Sequence, residues 1–472
     1  MIRSGGTIFA VSTPAGRGAI AVVRVSGEQA GEALTTLAGR ITSPRLATVR
    51  QLQGGGGEPL DEAIVLWFPA PASATGENVA EFHLHGGRAV IQAVLDALAH
   101  LPGFRPAEPG EFTRRAVENG RLDLTQAEAL ADLIDAETPS QRRQALDQYD
   151  GALARLYEGW RARLVRLLAH AEAGIDFSDE ELPDGLDTQI RDGIAALLDE
   201  IGRHMADGRS GEITREGLML TVIGPPNAGK SSLVNALARR DIAIVSDRPG
   251  TTRDVLEARL DLGGYAVTIA DTAGLRLSED AIESEGVRRA LARAESGDLT
   301  LLLLDGTSPE PFVGLPEDAV ENAALVVWNK IDLLTGVADK STGVASTSPL
   351  RGGRNAQHFG WGANGEGPTL SENPITISVR TGEGMDTLVE TLIAKVRERL
   401  DRPREFPLIT RARHRHALQD AVDALRRACN QDQSELIAEE LRLALRALGR
   451  IAGRVDIEEL LDVVFRDFCI GK

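Results

Sequence analysis

The segment Gly224–Ser231 reads GPPNAGKS. Glycines, a lysine and a hydroxyl at this spacing, between the apolar run Leu218–Ile223 and a helical run at Ser232–Ala238, fit a loop whose backbone N–H groups wrap a phosphate chain. The glycines allow close backbone approach, and the helix N-terminus adds the positive end of its dipole. In such a loop Lys230 reaches the β- and γ-phosphates, which makes it a candidate catalytic residue as well as a ligand. Ser231 suits a magnesium ion, and Asn227, Ala228, Gly229 and Ser232 complete the cradle. About forty residues on, at the end of the apolar run Ala266–Ala270, Asp271–Gly274 reads DTAG. An Asp there holds magnesium through water, and the N–H of Gly274 meets the γ-phosphate.

A third motif chooses the base. Asn329–Asp332 reads NKID after the run Leu325–Trp328. The carboxylate of Asp332 can accept from guanine N1–H and N2–H₂, where adenine offers the wrong groups. A site built on such hydrogen bonds rejects the wrong partner by about 10⁴–10⁵ in favourable cases. Asn329 and Lys330 flank that reader, and Ser378 and Val379, at the next strand end, would close over the base; Val stands where Ala is usual, and a backbone N–H contact tolerates that. Only five of the 52 basic residues are lysines, and two of them, Lys230 and Lys330, sit in these motifs. Between the phosphate and DTAG motifs lies DRPGTTRD (Asp247–Asp254), whose Thr251 and Thr252 are placed to sense the γ-phosphate and complete a magnesium shell. After DTAG comes Leu275, where Ras-like enzymes carry the Gln that orients water. Another residue must orient it, and Glu283 and Glu285 are candidates.

These motifs need a frame. Continuous apolar strands (Leu218–Ile223, Ala266–Ala270, Leu299–Leu304, Leu325–Trp328) with helical segments between them predict a doubly wound parallel sheet over 217–400. Before it, residues 1–121 read as mixed α/β, with strands at Ala19–Val25, Ala63–Phe68 and Val79–Leu84, a loop at Gly54–Gly57 and a helix at Arg88–Leu101. Residues 122–216 are helical, with one apolar stripe through Leu146, Tyr149, Leu153, Leu156, Trp160, Leu164, Leu167 and Ala171 and a second helix at Ile190–Met205. Residues 401–472 return to helices (His416–Cys429, Leu436–Leu448, Ile457–Phe468), so a helical domain is interrupted by an inserted one. Residues 335–373, rich in Gly, Ser, Thr and Asn without a period, read as a disordered insertion.

Composition narrows the class. The chain has 472 residues, 42% hydrophobic and 26% charged, enough for about three folded domains. A net charge of −18 argues against a broadly basic nucleic-acid coat and gives no case for DNA as a partner. No apolar run is long enough to span a bilayer, and the N-terminus lacks a signal peptide's apolar core. Two cysteines, Cys429 and Cys469, make no disulfide framework, so the reading is a cytoplasmic protein. The Arg-rich stretch Arg402–Arg415 suits either tRNA phosphates or a solvated helix face, with the latter favoured.

Taken together, PPNAGKSS (Pro225–Ser232), PGTTRD (Pro249–Asp254), DTAGLR (Asp271–Arg276), RLDLTQAEAL (Arg121–Leu130), PGEFTRRA (Pro109–Ala116) and the terminal CIGK (Cys469–Lys472) resemble the MnmE (TrmE) family of tRNA modification GTPases over essentially the whole chain. Residues 335–373 are unlike that family. The resemblance implies a homodimer built from an N-terminal α/β folate-binding and dimerisation domain, a split helical domain and an inserted Ras-like G domain. It implies a partner, MnmG (GidA), in a heterotetramer that adds a carboxymethylaminomethyl or aminomethyl group to C5 of the wobble uridine (U34) of tRNA. The one-carbon unit would come from 5-formyltetrahydrofolate or a related tetrahydrofolate.

Residue roles carry over by the same resemblance. Asn227, with Ser246, Arg248 and Thr251, would hold a potassium ion that substitutes for an arginine finger when two G domains meet. Ser231 and Thr252 would bind magnesium, and Glu283 would orient water. Arg24, Glu81, Arg121 and Lys472 would contact folate; Arg stands at 121 where relatives often carry Lys, which keeps charge but not geometry. Cys469 would either take part in one-carbon handling or serve as a small apolar residue. The rival class is a ribosome-assembly or RNA-binding GTPase without modification chemistry, but nothing after Leu400 supplies the G-x-x-G loop of a KH module.

Overall fold

The structure is a computed structural model. It describes residues 5–176 apart from 15, 186–244 apart from 208, 257–271, 297–336 apart from 314, 316–319 and 321, 374–453 apart from 402 and 404, and residue 471. The chain divides into two compact units, one of residues 1–135, 145–206 and 411–472, the other of 136–144 and 207–410.

The first unit opens with β1 (Thr7–Val11), β2 (Ile20–Ser26), α1 (Ala30–Ala38), β3 (Thr48–Gln53), β4 (Pro59–Phe68), β5 (Val79–His85), α2 (Arg88–Ala99), β6 (Phe104–Pro106) and α3 (Glu111–Glu118). The strands form one sheet in the order β3-β4-β5-β2-β1-β6, antiparallel except for β1–β6. Side chains alternate across it, as the two-residue period requires. Val23, Val25, Phe82, Val65 and Trp67 are buried with Leu34 and Leu37 of α1 and Val94 and Leu98 of α2. The other face carries Arg24 and Glu81, which stand directly opposite each other in the β2–β5 register.

Four helices follow: α4 (Leu124–Asp135), α5 (Pro139–Tyr149), α6 (Ala152–Asp176) and α7 (Leu186–Met205). The single stripe expected through Leu146–Ala171 is therefore two helices. Gly151 breaks it at φ +81°, a backbone that side-chain-bearing residues resist. Leu146, 41% exposed, lies outside the core, and within α6 it is Tyr157 rather than Leu156 that is buried with Leu153, Trp160, Leu164, Leu167 and Ala171.

The second unit holds α8 (Ser210–Glu216), β7 (Leu218–Ile223), α9 (Lys230–Ala238), β8 (Glu257–Leu262), β9 (Tyr265–Asp271), β10 (Leu299–Asp305), β11 (Leu325–Asn329), β12 (Ile375–Thr376) and α10 (Met385–Leu400). Its sheet runs β12-β11-β10-β7-β9-β8. Every neighbouring pair is parallel except β8–β9, an antiparallel edge that the apolar runs did not announce. Leu301 and Leu303 face one core with Val222, Leu233 and Leu392, while Leu302 and Leu304 face another with Val326 and Phe312. That two-sided burial is why these strands read as unbroken apolar runs.

The chain then returns to the first unit with α11 (Ala412–Cys429) and α12 (Ser434–Ala452), which pack with α6 and α7. Among the described residues no helix is long and apolar enough to cross a membrane. The helix expected at Ile457–Phe468 and residues 337–373 of the insertion lie outside the described residues.

Candidate functional site

In an open parallel sheet, ligands sit beyond the carboxyl ends of the strands. Here the ends of β7, β10, β11 and β12 bring together segments far apart in sequence. Gly224 ends β7 so tightly against β10 that a Cβ on it would lie 2.1 Å from the carbonyl oxygen of Leu303. Gly229, at φ +101°, is equally confined, since its Cβ would meet Asn329 Nδ2 at 2.4 Å. The turn between them leads into α9, whose first residue, Lys230, is buried and donates from Nζ to the carbonyls of Gly224 (2.8 Å) and Pro225 (2.9 Å). The ammonium is thus held inside the loop whose amides would cradle phosphate. Asn227 is exposed with a left-handed backbone (φ +61°), Ala228 is buried, and Ser231 and Ser232 are exposed at the helix start. This is the donor set a phosphate chain and a hard cation require.

The residues expected to read the base form a braced group. Asn329, 3% exposed, donates from Nδ2 to the carbonyl of Ala228 (2.9 Å) and accepts at Oδ1 from the N–H of Val379 (3.1 Å). One amide therefore ties the phosphate loop to the loop after β12. Lys330, at φ +67°, pairs with Asp305 at the end of β10 (2.6 Å). Asp332 accepts at Oδ1 from the hydroxyl of the fully buried Ser378 (2.7 Å) and at Oδ2 from Arg380 (2.8 Å). The Ser378 hydrogen bond, together with the Arg380 charge, holds the Asp332 carboxyl below the usual carboxylate range. Asp271 closes β9 in register with Val222. Ser246, Arg248, Thr251, Thr252, Gly274, Glu283 and Glu285 lie outside the described residues.

A second cluster lies on the first unit's sheet. Arg24 donates from Nε to Glu81 (3.0 Å) and stacks over Phe112, and His83 lies 3.3 Å from the same carboxylate. Gly471 reaches this sheet. Ser12 donates to the carbonyl of Gly471 (2.8 Å), and Gly471 fits so closely that a Cβ would lie 2.0 Å from Val11 O. Ala10, next to Val11, pairs with Arg24 across β1–β2. The side chain of Arg121 packs beside Gly76 in the β4–β5 connection. That connection's Glu77 accepts from Ser26, two residues beyond Arg24. So the expected folate contacts Arg24 and Glu81 bond to each other, and Arg121 and Gly471 adjoin the same sheet. Cys469 and Lys472 lie outside the described residues.

Residues 7–121 match the family described as GTP-binding protein TrmE N-terminus, and residues 124–469 match the MnmE helical domain. The tRNA modification GTPase MnmE of Rhodospirillum rubrum is 53% identical over 479 residues, covering 99% of each chain. That of Parvibaculum lavamentivorans is 52% identical over 477 residues, covering 99% of this chain and all of its own. The chain belongs to the MnmE family of tRNA modification GTPases. MnmE membership bears out the resemblance drawn from the motifs and the fold class drawn with it: an N-terminal α/β domain, a helical domain and a P-loop G domain.

Two contributors to the candidate nucleotide site escaped the MnmE motifs. Asp305 and Arg380 belong to no motif above, yet each pairs with a charged residue of NKID. An acid at the carboxyl end of a buried apolar strand was a usable signal for Asp305; for Arg380 there was none beyond its place after Ser378 and Val379. The Arg-rich stretch is corrected in part. Arg411 and Arg413 bond to the buried Glu128, and Arg415 donates to the carbonyl of Met205 (3.0 Å), so these guanidinium groups serve the helical core rather than solvent.

Proposed function

We propose that this MnmE chain binds and hydrolyses GTP at the β7–α9 site. We further propose that it works with MnmG to add a carboxymethylaminomethyl or aminomethyl group to C5 of U34 in tRNA, drawing a one-carbon unit from a tetrahydrofolate. The observation that carries the nucleotide reading is the convergence of four separated segments at the carboxyl ends of the strands: the Gly224–Ser231 loop, the end of β10, Asn329–Asp332, and Ser378 with Val379. In this reading the amides of Asn227–Ser232 wrap the phosphates and Lys230 supplies charge to the β- and γ-phosphates. Asp332 accepts from the guanine edge, and Asn329 and Ser378 keep the two halves of the pocket in register.

Ser231 with Thr252 would hold magnesium, which when bound neutralises phosphate charge. Asn227 with Ser246, Arg248 and Thr251 would hold potassium; its exposed amide in a left-handed turn is an oxygen donor free of the core. Asp271 and Gly274 would face the γ-phosphate, and Glu283 would orient water. The folate reading is supported by Gly471 lying against β1, one strand from Arg24, with Glu81 as acceptor for a donor-rich pterin edge and Arg121 and Lys472 proposed as cations for a glutamate tail. The homodimer, the MnmG heterotetramer and cytoplasmic residence belong to the same proposal, as does the division into 1–121, 122–216, 217–400 and 401–472.

The test is base choice. Asp332→Asn presents an amide donor where guanine has its own donors and xanthine has a carbonyl, so it should lose GTP and gain xanthosine triphosphate. Unchanged GTP preference in a direct binding titration sinks the guanine reading.

A further inference from the structure

Asp332 uses its two carboxylate oxygens differently. Oδ1 accepts from Ser378 Oγ, and that hydroxyl is fixed in turn by the N–H of Thr381 at 3.1 Å. Ser378 itself is fully buried. The orientation of the carboxylate is thereby set from within the loop. Oδ2 lies 2.8 Å from the guanidinium of Arg380, whose side chain is 75% exposed while that of Asp332 is 10% exposed. The cation thus approaches from the solvent side of a nearly closed group. It is carried by the residue after Val379, whose N–H is anchored to Asn329, so the loop that closes the pocket also brings the cation to its mouth.

We propose that Arg380 is a positioning residue that competes with the guanine base for Asp332 and so limits nucleotide affinity and speeds nucleotide release. The proposal rests on the reading of Asp332 as the guanine acceptor. A base presenting N1–H and N2–H₂ calls on both carboxylate oxygens, and one of them already carries a cation. A guanidinium on Oδ2 draws charge from the oxygen and occupies lone-pair directions that the base needs. Since Ser378 already orients the carboxylate, removing Arg380 takes away the competitor without loosening the acceptor. Exposed ion pairs are weak and screened by salt, so the guanidinium can swing clear when the base enters, and its effect must depend on ionic strength.

The experiment uses the full chain and a fluorescent N-methylanthraniloyl GDP as probe. Arg380→Gln should bind the probe about two- to fivefold more tightly than wild type at low ionic strength, mostly through slower dissociation. The difference should vanish in high salt, and Arg380→Lys should restore most of the wild-type dissociation rate. In an Asp332→Asn background, with xanthosine diphosphate as probe, Arg380→Gln should change dissociation less than about twofold and without salt dependence, because a neutral amide lacks the charge that pairs with the guanidinium. Equal or weaker GDP binding by Arg380→Gln at low salt overturns the proposal, since it would make Arg380 a brace or a bystander. The guanine reading fails by a different result, retention of GDP preference by Asp332→Asn itself.

Discussion

At the scale of single residues, the buried polar groups differ in how they are satisfied. Asn329 spends its side chain on two backbone partners in separate loops. Asn329→Ala leaves the Ala228 carbonyl and the Val379 N–H without those bonds, at about 1–3 kcal/mol between them, so GTP affinity should fall roughly 5- to 150-fold with little change in the far-UV spectrum. A titration giving wild-type affinity would show that the bridge is incidental. In the helical core His204 faces Tyr157 Oη at 3.2 Å and lies 5.4 Å, centroid to centroid, from the ring of Trp160. Burial, and then the charge of Arg415, push its pKa down to about 4. Its folded value lies below its unfolded one, so the unfolded chain takes up the proton first as pH falls. Stability is therefore whole above about pH 6.5 and lost between there and about pH 4, on the order of 3 kcal/mol. Urea unfolding across that range should show the slope, and His204→Gln should flatten part of it. The buried His414 is shifted in the same direction by burial, so some slope should survive in the variant.

At the scale of elements, Glu128 on α4 joins three helices. It is 1% exposed and accepts from Arg413 Nε (2.6 Å) and Nη2 (2.7 Å) and from His414 Nε2 (3.0 Å), both at the start of α11. Arg413 also reaches the carbonyl of Ile451 (3.1 Å) at the end of α12. Burial alone would raise the Glu128 carboxyl, but the surrounding His414 and Arg413 hold it far below the carboxylate range, so it stays charged and paired. Glu128→Ala leaves the half-buried Arg413 guanidinium and the buried His414 ring without their anion and should cost about 1–3 kcal/mol in thermal or chemical unfolding. A loss under about 0.5 kcal/mol would mean that the cluster relaxes to water. Such clusters are hard to see in sequence, because Glu128, Arg413 and His414 look like ordinary polar helix positions until α4 and α11, nearly three hundred residues apart, are packed. The same holds for β6, a three-residue strand (FRP) with no apolar run of its own that forms by pairing with β1. By contrast, β7, β10 and β11 were legible because both faces are buried. The phosphate loop and NKID were legible because ligand chemistry restricts residue type as well as spacing.

At the scale of the molecule, Gly471 lies against the end of β1, 459 positions from its partner Ser12. A methyl group there would collide with Val11 O, so Gly471→Ala should displace the chain end and lower tetrahydrofolate affinity while leaving GTP hydrolysis close to wild type. Loss of GTPase activity with folate binding intact would invert that assignment. The G domain poses the complementary question of what replaces the missing catalytic groups. Leu275 cannot orient water, and none of the motifs offers a clear arginine finger, a group worth about 10³–10⁵ in rate where it is used. In the proposed function potassium, held through Asn227, supplies that charge when the G domains of two chains meet. Hydrolysis should then be fast in KCl and slow in NaCl at equal ionic strength, and specific activity should rise with protein concentration as the domains pair. Asn227→Ala should flatten the potassium dependence, whereas Glu283→Ala should lower the rate in every salt, because one removes the cation's ligand and the other the water's orienter. Equal turnover of the wild-type chain in the two salts would show that the catalytic cation is not potassium, and the role of Asn227 would fall with it, leaving the proposed guanine reading of Asn329, Asp332 and Ser378 untouched.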